Sequence, residues 1–267
     1  MSRNRKPRPW RERLPGRQPE TDFRWRGREV SRLENLADAV FGFSVTLLVV
    51  ALEVPRDFAA LHDVLAGFPA FVACFAILMF FWNSHYRFFR RYGLEDNFTQ
   101  ITNYVILLLV LFAVYPLKFL FTAWFAELAG IASSTGGASS TGGDTLEDVR
   151  FLFRSYGSGF ALIGGMFALL YWHAWRNRAR LDLTAAEVWI TRANFCDFAS
   201  WTGISLLSIG STFLPVTPAV SGYVYCLLGP AIGINRAWHG RRVSQARAQA
   251  LSSFAAPHPY DEERPGQ

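Results

Sequence analysis

Apolar residues in this chain gather into long blocks instead of alternating with polar ones. Block after block reaches the length of about 20 residues that crosses about 30 Å of hydrocarbon. A chain patterned this way has to satisfy its backbone inside a bilayer, so it folds as an all-α, polytopic membrane protein. The composition agrees, with 267 residues of which 51% are hydrophobic and 16% aromatic. The loops between the blocks are too short to hold a soluble domain, which leaves one membrane domain with tails.

Six spans can be drawn, at about 35–53, 64–83, 101–124, 151–174, 189–213 and 217–236. Arginine and lysine cluster before the first span, from Arg3, Arg5 and Lys6 through to Arg32. They recur after the second (Arg87, Arg90, Arg91), after the fourth (Arg176, Arg178, Arg180) and after the last (Arg236, Arg241, Arg242, Arg247). The loop after span one carries only Arg56, the loop after span three is mostly acidic, and the loop after span five has no charge. Positive charge marks the inner side, so both termini are expected in the cytoplasm of a multi-pass cell-membrane protein.

The domain reading follows. Residues 1–31 are expected to form a disordered basic tail drawn to anionic lipid, 32–240 the six-helix membrane domain, and 241–267 a cytoplasmic tail. The tail lacks the short apolar core of a signal peptide. Positive-inside topology accounts for the basic pI near 9.5 more simply than nucleic-acid binding does. Within 130–145 the run Ala-Ser-Ser-Thr-Gly-Gly occurs twice in tandem and reads as a flexible linker. Cys74, Cys196 and Cys226 fall inside spans at no metal-ligand spacing and read as small apolar core residues without a disulfide.

The first span is unusual in placing Arg32, Glu34 and Asp38 in its opening turns. A lipid-facing helix does not tolerate an acid without a partner, so Asp38 must be held by other protein groups. At about 100° per residue, Phe43, Thr46, Leu47 and Val50 form one stripe, and Asp38, Gly42, Val45 and Val49 another. A bulky apolar stripe can simply pack against another helix. Thr46, beside the stripe with Ser44, can lend an ion part of a hydration shell or bond back to a carbonyl of its own helix.

Other chemistry is poorly served. There is no His-Glu-x-x-His, Gly-x-Ser-x-Gly or Gly-x-x-x-x-Gly-Lys motif, so no enzyme is expected. His85, His173 and His239 lie near the same ends of spans two, four and six, beside Trp82, Trp172 and Trp238. They share no helical spacing and no acidic companions, so neither a metal nor a haem cofactor is expected. Asp197 in span five is expected to be a second anchor, paired with Arg192.

Arg32 to Asp38, continuing through Val40, Phe41, Thr46 to Val49 and Glu53-Val54-Pro55, resembles the opening helix of the transmembrane protein 175 family of potassium channels. The family signature is Arg, three residues, then Phe-Ser-Asp. Here Arg32 and Asp38 match while Leu36 and Ala37 replace Phe and Ser. Trp82 and His85 followed by Phe88 or Phe89 resemble the family's Trp-x-x-His-x-x-x-Phe pattern, and Asn103, Phe112 and Tyr115-Pro116-Leu117 its third-span segment. The likeness in order and spacing covers roughly residues 32–120.

The resemblance implies a homotetramer in the lipid bilayer that passes potassium ions, with the first helix of each subunit lining the pore. The constriction then maps to Phe43, Leu47 and Val50, with Thr46 as an ion contact. Such an apolar ring gates by dewetting. Arg32, Asp38, Trp82 and His85 become a structural polar network, Asp38 meeting His85 or Trp82. Two alternatives stay open: a nonconducting scaffold of the same fold, since four Phe43 rings crowd an axis, and a secondary transporter. The latter should show broken helices at the midplane and inverted repeats. Pro116 comes closest to such a break but lies toward the outer end of span three.

Overall fold

The computed structural model describes residues 23–27, 29–51, 54–128, 146–214 and 219–255. Every regular element among them is helical: α1 (Arg32–Val50), α2 (Phe58–Ala66), α3 (Phe68–Tyr92), α4 (Asn97–Leu128), α5 (Leu146–Arg176), α6 (Ala185–Ser211), α7 (Ala219–Tyr223), a 3₁₀ turn (Val224–Leu227) and α8 (Leu228–Ala255). Three segments among the described residues are long and apolar enough to cross a membrane: Arg32–Val50, Phe68–Tyr92 and Asn97–Val114.

Local chemistry sets the helix ends. Ser31 caps α1 by accepting from the Glu34 amide, while the Glu34 carboxylate accepts from the Ser31 amide. That reciprocal box satisfies two orphan donors, which explains an acid in the first turn. Thr184 and Glu187 repeat the device on α6. The break between α2 and α3 falls at Gly67, with Pro69 in the first turn of α3. The expected span at 64–83 runs across that break because the residues on both sides are equally apolar. Gly93 ends α3 at φ 58°, its amide returning to the Phe89 carbonyl. A left-handed cap of this kind suits glycine.

The expected sixth span, 217–236, is not continuous. The 3₁₀ turn Val224–Leu227 interrupts it, and α8 then runs on to Ala255, well into the expected C-terminal tail. The N-terminal segment also departs from expectation. Phe23, placed in the loose tail by composition, is buried and meets Tyr92 edge-on at 5.3 Å. Gly27 donates to the Arg90 carbonyl at 3.2 Å. Residues 1–22, the tandem Ser/Thr/Gly run and residues 256–267 lie outside the described residues.

Helix α1 packs on α3 and α4, α5 on α4 and α6, and α6 on α8. Glycines let α5 approach α6 closely: a Cβ on Gly164 would stand 2.8 Å from Trp201 Cδ1, and one on Gly157 2.7 Å from Ile209 Cγ1. Small residues at a helix interface do this in membranes, where contact comes from packing. A column of rings fills the centre, with Phe81 stacked on Phe167 at 5.8 Å and Phe167 on Phe198 at 4.8 Å. Cys74 belongs to this core, whereas Cys226 is exposed on the 3₁₀ turn; all three cysteines are free. Periodicity inside an assumed continuous span could not place Cys226, because the helix that would have buried it is broken there.

Candidate pore helix and its polar ties

The two faces of α1 differ sharply. Glu34, Ala37, Phe41, Ser44 and Leu48 are buried against the subunit. On the opposite side Leu36, Phe43 and Val50 are 45%, 56% and 67% exposed. Seven-residue spacing puts these three on one line along the helix. Phe43 and Val50 therefore stand open within the subunit, and so in part does Leu36, which shares a pocket with Gln100 and Tyr104 of α4 and which motif comparison registered only as a substitution. Its signal was present in the sequence as the position one heptad before Phe43.

Leu47 behaves differently. It is half-buried and packs against the core, so it stands at the border of the open stripe. Thr46 is exposed, and its hydroxyl donates to the Gly42 carbonyl at 3.1 Å, one turn back. Val49 and Gly42 also face outward, while Val45 leans on the core.

Polar ties join α1 and its neighbours, one of them from the exposed Asp38. The Trp82 indole N–H donates to the Asp38 carboxylate at 2.8 Å, joining α1 to α3. The His85 Nε2–H donates to the Asn103 carbonyl oxygen at 2.6 Å in a buried contact between α3 and α4. His85 thus turns to Asn103 and not to Asp38, meeting α1 only through the Phe41 ring at 6.0 Å. Arg32 is exposed and forms no ion pair among the described residues; Glu34 has Arg90 at 3.6 Å instead. At the other end of α1 the Lys118 ammonium donates to the Ala51 carbonyl. A cation there satisfies an orphan carbonyl and complements the helix dipole.

Two sequence expectations about acids need correcting. Asp197 does not pair with Arg192. Its carboxylate takes a 2.8 Å ion pair from Arg236 and a bond from the Asn235 amide, both on α8. Arg192 lies five residues back, a spacing that does not bring two side chains to one helix face. His173, expected to lack an acidic companion, meets Asp96 at 2.8 Å. Burial alone would raise the Asp96 carboxyl, but bonds from Thr99 and His173 outweigh it and hold the group below the usual carboxylate range. Among the described residues no three His, Cys, Asp or Glu side chains group to hold a metal.

Residues 32–114 match the family model described as endosomal/lysosomal potassium channel TMEM175. A protein of Marivirga tractuosa named potassium channel is 31% identical over 217 residues, covering 78% of this chain and 87% of that one. The crystal structure of a variant of the potassium channel MtTMEM175, bound to a nanobody–MBP fusion, superposes with a TM-score of 0.71 at 31% identity. That likeness covers 84% of this chain and 97% of the other. These relatives are channels and not enzymes, and the chain belongs to the TMEM175 family of potassium channels.

Proposed function

We propose that this chain is one subunit of a potassium-permeable channel in the cell membrane, with six membrane-crossing helices and both termini in the cytoplasm. Copies assemble, as a homotetramer by the family reading, so that α1 of each faces a shared axis. The observation that carries this is the open apolar line of Leu36, Phe43 and Val50 on a helix whose other face is tied into its own subunit. An apolar face left bare inside one subunit is open to its own copies around an axis, where packing and not hydrophobicity would hold them.

In this arrangement Phe43 and Val50 narrow the pore, with Leu47 bracing the ring from its edge. An ion passing there sheds water and meets no oxygen ligand, so conduction requires the ring to widen or wet. Thr46 spends its hydroxyl on Gly42, which leaves its oxygen as the part an ion could meet. Asp38 with Trp82 ties α1 to α3 and so sets the direction in which the stripe points, while His85 with Asn103 holds α3 to α4 behind it.

Purified protein in liposomes loaded with potassium tests this. Potassium efflux exceeding sodium or chloride flux supports the channel. Absence of flux from intact assemblies would leave a nonconducting scaffold of the same fold.

A further inference from the structure

Where α5, α6 and α8 come together, arginines and tryptophans alternate in a ladder. Arg178 lies over the Trp175 ring at 5.3 Å, and Arg192 over the same ring at 5.7 Å. Arg192 also covers Trp189 at 5.0 Å, and Arg242 bridges Trp189 at 5.8 Å and Trp238 at 5.4 Å. One turn earlier on α5, Arg176 lies over Trp172 at 5.4 Å. All four arginines are exposed, and none is in an ion pair among the described residues.

Stacking holds a guanidinium by its face and leaves its N–H edge for a phosphate to meet in two-point fashion, although Arg178 also donates one N–H to the Trp175 carbonyl at 3.3 Å. Arg178, Arg192 and Arg242 are linked through shared rings and pair with no acid among the described residues, so their charges repel one another, and a bound anion relieves that repulsion. Tryptophan at this density suits the boundary between hydrocarbon and water.

A second feature adjoins the ladder. An open apolar groove of about 450 Å³ runs along α5, lined by Ala161, Gly165, Met166, Leu169 and Trp172, with Phe195 of α6 at its side. Trp172 closes the groove and also carries Arg176, so the apolar channel ends where the cationic ladder begins. Gly165 keeps the floor clear: a Cβ there would meet nothing nearer than Thr202 at 3.9 Å.

We infer that this is a binding site for an anionic phospholipid, its acyl chain in the α5 groove and its phosphate headgroup on Arg178, Arg192 and Arg242. A cationic pocket between membrane helices on the cytoplasmic side selects such lipids. Free phosphate shares the headgroup chemistry but has no use for the groove. The inference rests on the membrane topology proposed above and does not depend on conduction.

Native mass spectrometry of the full-length protein in detergent, titrated with phosphatidylglycerol or phosphatidylcholine, tests it. Wild type should retain phosphatidylglycerol preferentially. The double variant Arg192→Gln/Arg242→Gln should lose that preference by about fivefold per arginine, whereas Arg56→Gln, remote from the ladder, should keep it. Met166→Trp, which fills the groove, should weaken retention of both lipids. Equal retention of the two lipids by wild type, or an unchanged preference in the double variant, overturns the site. Displacement of phosphatidylglycerol by inorganic phosphate marks a free-anion site and overturns the lipid assignment. A change of oligomeric state in Met166→Trp with lipid retention intact assigns the groove to a second copy and overturns it as well. Because potassium flux is read separately, a failed channel and a failed lipid site give different results.

Discussion

The Trp82 indole donates to the Asp38 carboxylate at 2.8 Å, across 44 residues of sequence and between α1 and α3. An acid in the opening turns of an apolar helix is costly unless it is satisfied, and this bond satisfies it. It also fixes the rotation of α1. If α1 turned about its axis, Asp38 would leave Trp82 and the stripe of Phe43 and Val50 would swing away from its present direction.

Removing either partner should therefore act on assembly. Asp38 is exposed, so Asp38→Ala should cost only about 0.5–1 kcal/mol in the subunit and should lower the yield of assembled protein. Trp82→Phe should cost a similar amount, and the double variant less than the sum, because both remove one interaction. Thermal unfolding in detergent and size-exclusion profiles check this. Intact assembly of Asp38→Ala with lost conduction would show that Asp38 serves ions and not architecture.

Phe43 and Leu47 should separate function from folding. Phe43 is exposed in the subunit, so Phe43→Ala should change its folding stability by no more than about 0.5 kcal/mol while raising potassium leak. Leu47→Ala should raise leak too, but it should also cost about 1–2 kcal/mol because half of its side chain packs on the core. Liposome flux and thermal unfolding measured on the same preparations distinguish the two. An unchanged leak in Phe43→Ala would remove Phe43 from the constriction.

Helices α5 and α6 meet through Gly164, where an added Cβ would sit 2.8 Å from Trp201 Cδ1 and 2.9 Å from Thr202 Oγ1. Gly164→Ala should cost about 1–3 kcal/mol through overpacking, and Gly164→Val more. Gly159, with nothing within 4 Å of the corresponding position, serves as the control and should tolerate alanine. Comparable melting temperatures for Gly164→Ala and Gly159→Ala would mean that α5 and α6 do not pack as closely as described.

What could be read from the sequence follows from how local each signal is. That Asp38 needs a donor was legible from an acid in an apolar helix, and the resemblance offered His85 or Trp82; the bond falls on Trp82 while His85 turns to Asn103. That apolar helices form was legible from the apolar blocks, but where they end was not: α3 runs on to Tyr92 and α8 to Ala255. The partner of Asp197 was not, since Arg236 lies 39 residues away on α8 and no periodicity links two helices. The break at Val224–Leu227 was hidden for another reason: the residues around it are as apolar as a helix, and hydropathy does not distinguish a 3₁₀ turn from an α-helical one. The ladder of arginine and tryptophan was visible only as interfacial composition until α5, α6 and α8 were brought together.

The segment before α1 provides a pH-dependent test. Glu187 accepts from the Arg24 amide at 2.7 Å and pairs with the Arg26 guanidinium at 2.8 Å, while Arg26 also donates to the Leu181 and Asp182 carbonyls. Burial alone would raise the Glu187 carboxyl, but these bonds with those of Thr184 outweigh it and keep the group below its ordinary value. A depressed carboxylate contributes stability that is fully present above its unfolded value and is lost as pH falls through the folded one. Wild type should therefore lose melting temperature partly through this group as pH falls through and below the ordinary carboxylate range. Arg26→Gln should lower stability at neutral pH by about 1–3 kcal/mol and flatten that part of the acid dependence. Glu187→Gln should do the same while also weakening the cap of α6. An acid profile of Arg26→Gln parallel to that of wild type would show that the segment from Phe23 to Gly27 does not bind α6 through this pair.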